Sequence, residues 1–166
     1  MPIFKRKPRE NKNAEEYFEQ GFAYAKLGKY TDAIAIWNKA IAIKPDYADA
    51  YYQIGNAYTA LEQYADAIAP YKKGIALKPN VACVYIGMGN AYKELKQYSE
   101  ALAAYKEAIA IEPDNTGAYW WMGHTYNDFG QKADAIAAFE KVIAIKPKGI
   151  LADGARKKIS EIENKD

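Results

Sequence analysis

Four prolines stand 34 residues apart along the chain: Pro45, Pro79, Pro113 and Pro147. Each interrupts a similar phrase, "AIAIKPDYADAY" at 40–51, "GIALKPNVACVY" at 74–85, "AIAIEPDNTGAY" at 108–119 and "VIAIKPKGILAD" at 142–153. Proline cannot continue a helix, and it pushes the residue before it out of the helical region. Each phrase therefore reads as the end of an apolar helix, a break, and the start of the next helix. A fixed period of this length restricts the chain to a stack of like units. The units are 14–47, 48–81, 82–115 and 116–149, preceded by a segment at 1–13 and followed by one at 150–166.

Within each unit the periodicity is helical. In "AYYQIGNAYTAL", residues Tyr51, Ile54, Gly55, Tyr58 and Leu61 recur on one helix face. Gly21, Gly55, Gly89 and Gly123 keep the same phase, although each would weaken a helix by roughly 1 kcal/mol relative to Ala. That retention predicts a close helix crossing, with Ala33, Ala67, Ala101 and Ala135 as the expected small counterparts on a second helix. The linking stretches "LGKYTD", "LEQYAD", "LKQYSE" and "FGQKAD" place Asp32, Asp66, Glu100 and Asp134 in that helix's first turn, where its dipole favours an acid. Thr31 and Ser99 are the expected caps. Pro70 falls inside the second helix of the second unit and predicts a kink or a loosened turn. Leu151, Ala155, Ile159 and Ile162 form one apolar stripe, which predicts a closing helix with a polar outer face.

Chemistry excludes several functions. The net charge is +2, but residues 1–13 hold five bases against one acid, so the remaining residues sum to −2. The basic excess lies in a tail without interleaved aromatics, so no nucleic-acid partner is expected. One cysteine, Cys83, rules out an internal disulfide and a Cys-based zinc site. No apolar run approaches the roughly 20 residues of a membrane span, and the first residues lack the apolar core of a secretory signal. A cytoplasmic protein without a membrane span is the expectation. His124 and Cys83 sit on different repeats with no third orienting group, the carboxylates are scattered, and no metal-ligand or phosphate-loop spacing occurs. No enzyme, cofactor or metal is expected.

The repeated slots resemble the tetratricopeptide repeat (TPR) family, whose unit carries an aromatic, a large apolar residue, Gly and Tyr on its first helix. A small residue and an aromatic follow on the second, and Pro closes the unit. The slots hold Tyr17, Gln20, Gly21, Tyr24, Ala33, Trp37 and Pro45 in the first repeat, then Tyr51, Ile54, Gly55, Tyr58, Ala67, Tyr71 and Pro79. The third has Tyr85, Met88, Gly89, Tyr92, Ala101, Tyr105 and Pro113, and the fourth Tyr119, Met122, Gly123, Tyr126, Ala135, Phe139 and Pro147. Gln20 replaces the large apolar residue in the first repeat only, as befits an end unit. The resemblance implies an all-α fold: a right-handed α-solenoid of four helix–turn–helix units plus a C-terminal capping helix.

It also implies a function. First helices in this family line a concave groove that takes a peptide or partner helix. Carried over position by position, the groove holds Phe18, Tyr52, Ile86 and Trp120, then Phe22, Asn56, Asn90 and His124. Ala25, Thr59, Lys93 and Asn127 follow, then Lys26, Ala60, Glu94 and Asp128, and also Glu15, Asp49, Cys83 and Gly117. Trp121 lies beside Trp120. The candidate peptide-binding set is Phe18, Phe22, Tyr52, Asn56, Ile86, Asn90, Lys93, Trp120, Trp121, His124 and Asn127. Its aromatic groups suit anchoring, and an Asn side chain both donates and accepts. The family's clamp for chaperone C-terminal carboxylates needs bases. The matching positions hold Phe18, Phe22, Gln53, Cys83 and Gly87, or Tyr52, Asn56, Gly87, Gly117 and Trp121, and none is basic. The expected role is a non-catalytic adaptor for a protein or peptide partner. The alternatives are a homo-oligomer joined through groove or end repeats, and a tether acting through the basic tail.

Overall fold

The computed structural model describes residues 12–164. The expected basic segment 1–13 therefore lies outside the described residues, except for Lys12 and Asn13. Among the described residues the elements are α1 (Ala14–Lys26), α2 (Tyr30–Ile43), α3 (Ala48–Ala60), α4 (Tyr64–Leu77), α5 (Ala82–Glu94), α6 (Tyr98–Ile111), α7 (Thr116–Asp128), α8 (Lys132–Ile145) and α9 (Ile150–Glu163). They pair as α1–α2, α3–α4, α5–α6 and α7–α8, and α9 closes against α8 and α7. The architecture is a right-handed α-solenoid of four helix pairs and a cap helix.

Proline sets the inter-repeat joints. Lys44, Lys78, Glu112 and Lys146, each just before its proline, leave the helical region at φ between −145° and −128° and ψ between 87° and 89°. This is the extended conformation that a following proline imposes.

The turn inside each pair has a different cause. Gly28, Glu62, Lys96 and Gly130 all take positive φ, at 71°, 59°, 60° and 82°. The next residue donates its N–H back to a first-helix tyrosine carbonyl: Lys29 to Tyr24, Gln63 to Tyr58, Gln97 to Tyr92 and Gln131 to Tyr126. Gly28, Glu62, Lys96 and Gly130 donate to Ala25, Thr59, Lys93 and Asn127. Together these bonds make four Schellman turns. The same turn overturns the expected caps. Because Lys29 and Gln97 close one helix and also start the next, Thr31 and Ser99 fall inside the first turn and cap nothing. Asp32, Asp66, Glu100 and Asp134 do lie in the first turns. Side-chain caps occur elsewhere. Asn13 and Glu16 form a reciprocal capping box on α1, and Asn115 Oδ1 accepts from the Ala118 N–H at 3.0 Å on α7.

The conserved phase of glycine is explained by rings, not by alanines. A Cβ on Gly21 would lie 2.3 Å from Trp37, and one on Gly55 2.6 Å from Tyr71. For Gly89 and Tyr105 the distance is 2.6 Å, and for Gly123 and Phe139 it is 2.8 Å. The partner of each glycine is thus the second-helix aromatic, fully buried against it. Ala33, Ala67, Ala101 and Ala135 are equally buried, but the atoms nearest each such Cβ belong to the ring. α4 is helical on both sides of Pro70, so no turn is lost there. Ala67, Tyr71 and Gly74 anchor it in the core on both sides of the proline, and the carbonyl that Pro70 cannot serve belongs to solvent-exposed Asp66.

The first repeat behaves as an end unit. Leu27 is 71% exposed, whereas the equivalent Leu61 packs onto the core cluster of the preceding repeat. Gln20 accepts a 2.6 Å hydrogen bond from Lys12 Nζ. In α9, Ala152, Ala155 and Ile162 are buried, and Leu151 stays at the rim.

Candidate protein-binding groove

Along the solenoid α3, α5, α7 and α9 touch in succession, whereas α2, α4, α6 and α8 have no comparable mutual approach. First helices therefore form the inner surface and second helices the outer one. The sequence-derived candidates sort into three groups on this inner surface.

Two of them pack against glycines of neighbouring helices, Tyr52 buried and Trp120 half-buried. Tyr52 is only 4% exposed; its ring fills the slot left by Gly74 on α4, and its hydroxyl donates to the Lys78 carbonyl. The equivalents of Gly74 are Ala40, Ala108 and Val142, so only the second repeat has room for that ring. Trp120 packs on Phe139 at 5.5 Å and against Gly154 of α9, where a Cβ would lie 2.7 Å away. Tyr52 is thereby withdrawn from the groove, whereas Trp120 stays half-buried; in each case a glycine on a neighbouring helix makes room for the ring.

A second group is partly committed to internal contacts. Phe18 stacks on Tyr47 at 4.7 Å and on Phe22 at 5.0 Å, and Phe22 meets Trp37 edge-on at 5.7 Å. Burial, then Glu15, Asp49 and Glu19, push the Tyr47 phenol above its ordinary value, and Lys44 Nζ lies 4.5 Å from the centre of the same ring. Ile86 packs beside Ala82, Ala108 and Ala118. Lys93 reaches Glu94 at 3.1 Å and Asp128 at 3.5 Å, joining α5 to α7. Burial works against its charge, but the two carboxylates outweigh that and hold its pKa raised.

The third group faces outward. Asn56 and Asn127 are exposed, Asn90 is half-buried, and Trp121 is 36% exposed beside His124 at 6.0 Å. The two asparagines are not free rotors. Tyr71 Oη donates to Asn56 Oδ1 at 2.7 Å, and Tyr105 Oη donates to Asn90 Oδ1 at 2.7 Å. Thr59 Oγ1 donates to the Gly55 carbonyl at 3.0 Å and lies 3.3 Å from the Tyr71 hydroxyl. Burial raises the pKa of both phenols, so both hydroxyls keep their protons.

His124 continues the row differently. Its ring is surrounded by Trp120 at 4.6 Å, Phe139 at 5.3 Å and Trp121, and Nε2 is buried with no hydrogen-bond partner among the described residues. Burial, then Lys158, lower its pKa, with Lys93 adding to the effect and Asp128 and Glu161 opposing it. Tyr71 and Tyr105 entered the sequence reading only as repeat slots and Tyr47 was not singled out, so none stood among the site candidates. A signal existed: Asn56–Tyr71 and Asn90–Tyr105 share a 15-residue spacing, and the outer repeats replace both partners together, as Phe22–Trp37 and His124–Phe139.

Among the described residues no group of His, Cys, Asp and Glu is arranged to hold a metal, and no helix is long and apolar enough to cross a membrane. Inner first helices, outer second helices and a side-chain-lined inner surface define a helix-pair solenoid with an extended recognition face. The chain belongs to the tetratricopeptide repeat family. A TPR repeat model matches residues 21–61 and 89–130, and two tetratricopeptide repeat models match 48–81 and 116–148. Among solved structures it is similar to a MamA protein, at 26% identity over 91% of this chain and 86% of that one, with a TM-score of 0.79. It is also similar to the first TPR of Spaghetti (RPAP3) bound to the HSP90 peptide SRMEEVD, at 25% identity over 71% of this chain and 94% of that one, with a TM-score of 0.69. PilF of Pseudomonas aeruginosa shares the fold, at 22% identity over 92% of this chain and 68% of that one, with a TM-score of 0.77. No curated protein matches the sequence.

Proposed function

We propose that the chain is a non-catalytic adaptor that holds a segment of a partner protein on its inner surface. The observation that carries this reading is the polar row of Asn56 and Asn90, each held by a buried tyrosine and set between the Phe18–Phe22–Tyr47 rings and exposed Trp121. Fixed polar groups flanked by aromatic anchors suit recognition of a segment that is apolar at its ends and polar along its backbone. The RPAP3 domain is solved with a chaperone peptide that ends in acidic residues. Here the positions that would clamp such a carboxylate hold no base, so the proposed partner is not a chaperone tail held in that way. The test is a lysate pull-down with the intact chain beside the Asn56→Ala/Asn90→Ala variant, read by mass spectrometry. Loss of a recovered protein with unchanged helix content supports the reading, and identical recovery overturns it.

Exposed Leu27, at a position covered in the second repeat, favours one rival: assembly of copies through the end repeat. A mass that rises with protein concentration, and stops rising in Leu27→Asp, distinguishes that rival.

A further inference from the structure

We infer that Tyr71 and Tyr105 are positioning residues that make the asparagine row a set of N–H donors, so that the groove selects carbonyl oxygens of an extended partner segment. The inference rests on the groove reading above and specifies its chemistry. An isolated Asn offers one acceptor and two donors in either orientation. Here that freedom is removed from below. The 2.7 Å separations between Tyr71 Oη and Asn56 Oδ1, and between Tyr105 Oη and Asn90 Oδ1, match O–H···O bonds, which are shorter than the usual N–H···O. In the second repeat the alternative arrangement is further disfavoured. The Thr59 hydroxyl hydrogen is already directed at the Gly55 carbonyl, so Thr59 Oγ1 competes for the tyrosine hydrogen only from 3.3 Å. Both phenols are buried and protonated, so each remains a donor.

With Oδ1 engaged, each asparagine turns its Nδ2 toward the inner surface. Asn56 Nδ2 has only a 3.4 Å approach to Gln53 Oε1, and Asn90 Nδ2 has no protein partner among the described residues. A backbone carbonyl laid along α3 and α5 meets a donor, whereas a backbone N–H at the same place meets another N–H. Two neutral donors suit main-chain carbonyls better than a carboxylate, because Glu94 and Asp128 already stand beside the nearby cation, Lys93. Tyr71 holds this arrangement across the stack as well. The Tyr71 hydroxyl lies where a Cβ on Gly87 of α5 would be 2.8 Å away, so the second repeat's ring reaches under the third repeat's first helix.

The test uses the full chain and a peptide taken by panning a random peptide display library, kept only if it binds the intact protein and not Asn56→Ala/Asn90→Ala. Affinity for that peptide is compared in Tyr71→Phe/Tyr105→Phe, a change the fold accepts because the fourth repeat carries Phe139 in the same slot. The expected result is a loss of about tenfold in affinity with little change in melting temperature. Side-chain 15N relaxation should also show the Asn56 and Asn90 amides fixed in the intact protein and mobile in the variant, which a merely structural role for the rings would not produce. Unchanged affinity and unchanged amide mobility overturn the inference while leaving the groove reading in place. If panning yields no peptide that depends on the two asparagines, the groove reading fails and this inference fails with it.

Discussion

A Cβ on Gly154 would stand 2.7 Å from the ring of Trp120, so glycine at that point lets the cap helix α9 and the half-buried ring approach closely. Trp120 in turn lies against Phe139 and His124, so this contact is one part of the join between the cap and the fourth repeat's core, where Ala155 and Ile162 of α9 share a buried cluster with Ala135, Phe139 and Val142.

Gly154→Ala therefore overpacks that join. The expected cost is about 1–3 kcal/mol, read as a lower melting temperature together with a shift in tryptophan fluorescence. Amide exchange should quicken in α9 and α7 before it does in α1 to α4, since a repeat stack couples only neighbours. Equal loss of protection along the whole chain would contradict this.

The intra-repeat turns allow a stabilising change. Glu62 and Lys96 hold positive φ where the first and fourth repeats use Gly28 and Gly130. Glu62→Gly and Lys96→Gly remove a side chain from the left-handed region and should each raise stability by about 1 kcal/mol, as measured by urea denaturation. No gain in the midpoint would show that those side chains make compensating contacts.

His124 predicts a dependence on pH. Its folded pKa is lowered from 6.5, first by burial and then by Lys158 of α9, with Lys93 of α5 acting in the same sense against Asp128 and Glu161. The unfolded chain thus takes up a proton at a pH where the folded chain does not. Stability from the neutral ring is complete above the unfolded value and is lost as pH falls through the folded one. Melting temperature recorded between about pH 7.5 and 5 should fall on the acid side, and less so in His124→Phe. Parallel profiles would contradict the assignment.

Tyr52 and Trp121 should separate stability from binding. Tyr52→Phe loses the hydrogen bond to the Lys78 carbonyl in a nearly closed site and should cost about 1–2 kcal/mol without altering capture of a partner. Trp121→Ala removes an exposed ring and should weaken capture with a stability change below about 0.5 kcal/mol. The opposite pattern would reverse the sorting of the two residues.

The period of Pro45, Pro79, Pro113 and Pro147 was enough to read the fold, because a proline constrains its own φ and the residue before it wherever it occurs. Periodicity alone told less about what each helix face meets. Gly55 marked a close crossing, but the spacing could not say that the Tyr71 ring, not Ala67, lies across it. Thr31 and Ser99 were misread as caps because a Schellman turn uses Lys29 and Gln97 for both helices at once, a feature set by the positive φ of Gly28 and Lys96. Tyr52 was misread as a groove anchor because the glycine that admits its ring, Gly74, sits on another helix. The asparagine row was visible at Asn56 and Asn90. The orientation of its amides was not, since it depends on hydroxyls 15 residues away in sequence.

The most direct measurement is amide hydrogen exchange of the intact chain with and without the partner recovered by pull-down. The account predicts slowed exchange in α3, α5 and α7, centred on the turns that carry Asn56, Asn90 and Trp121, with α2, α4, α6 and α8 unchanged. Slowed exchange confined to those outer second helices, or to the Leu27 end of α1, would contradict it.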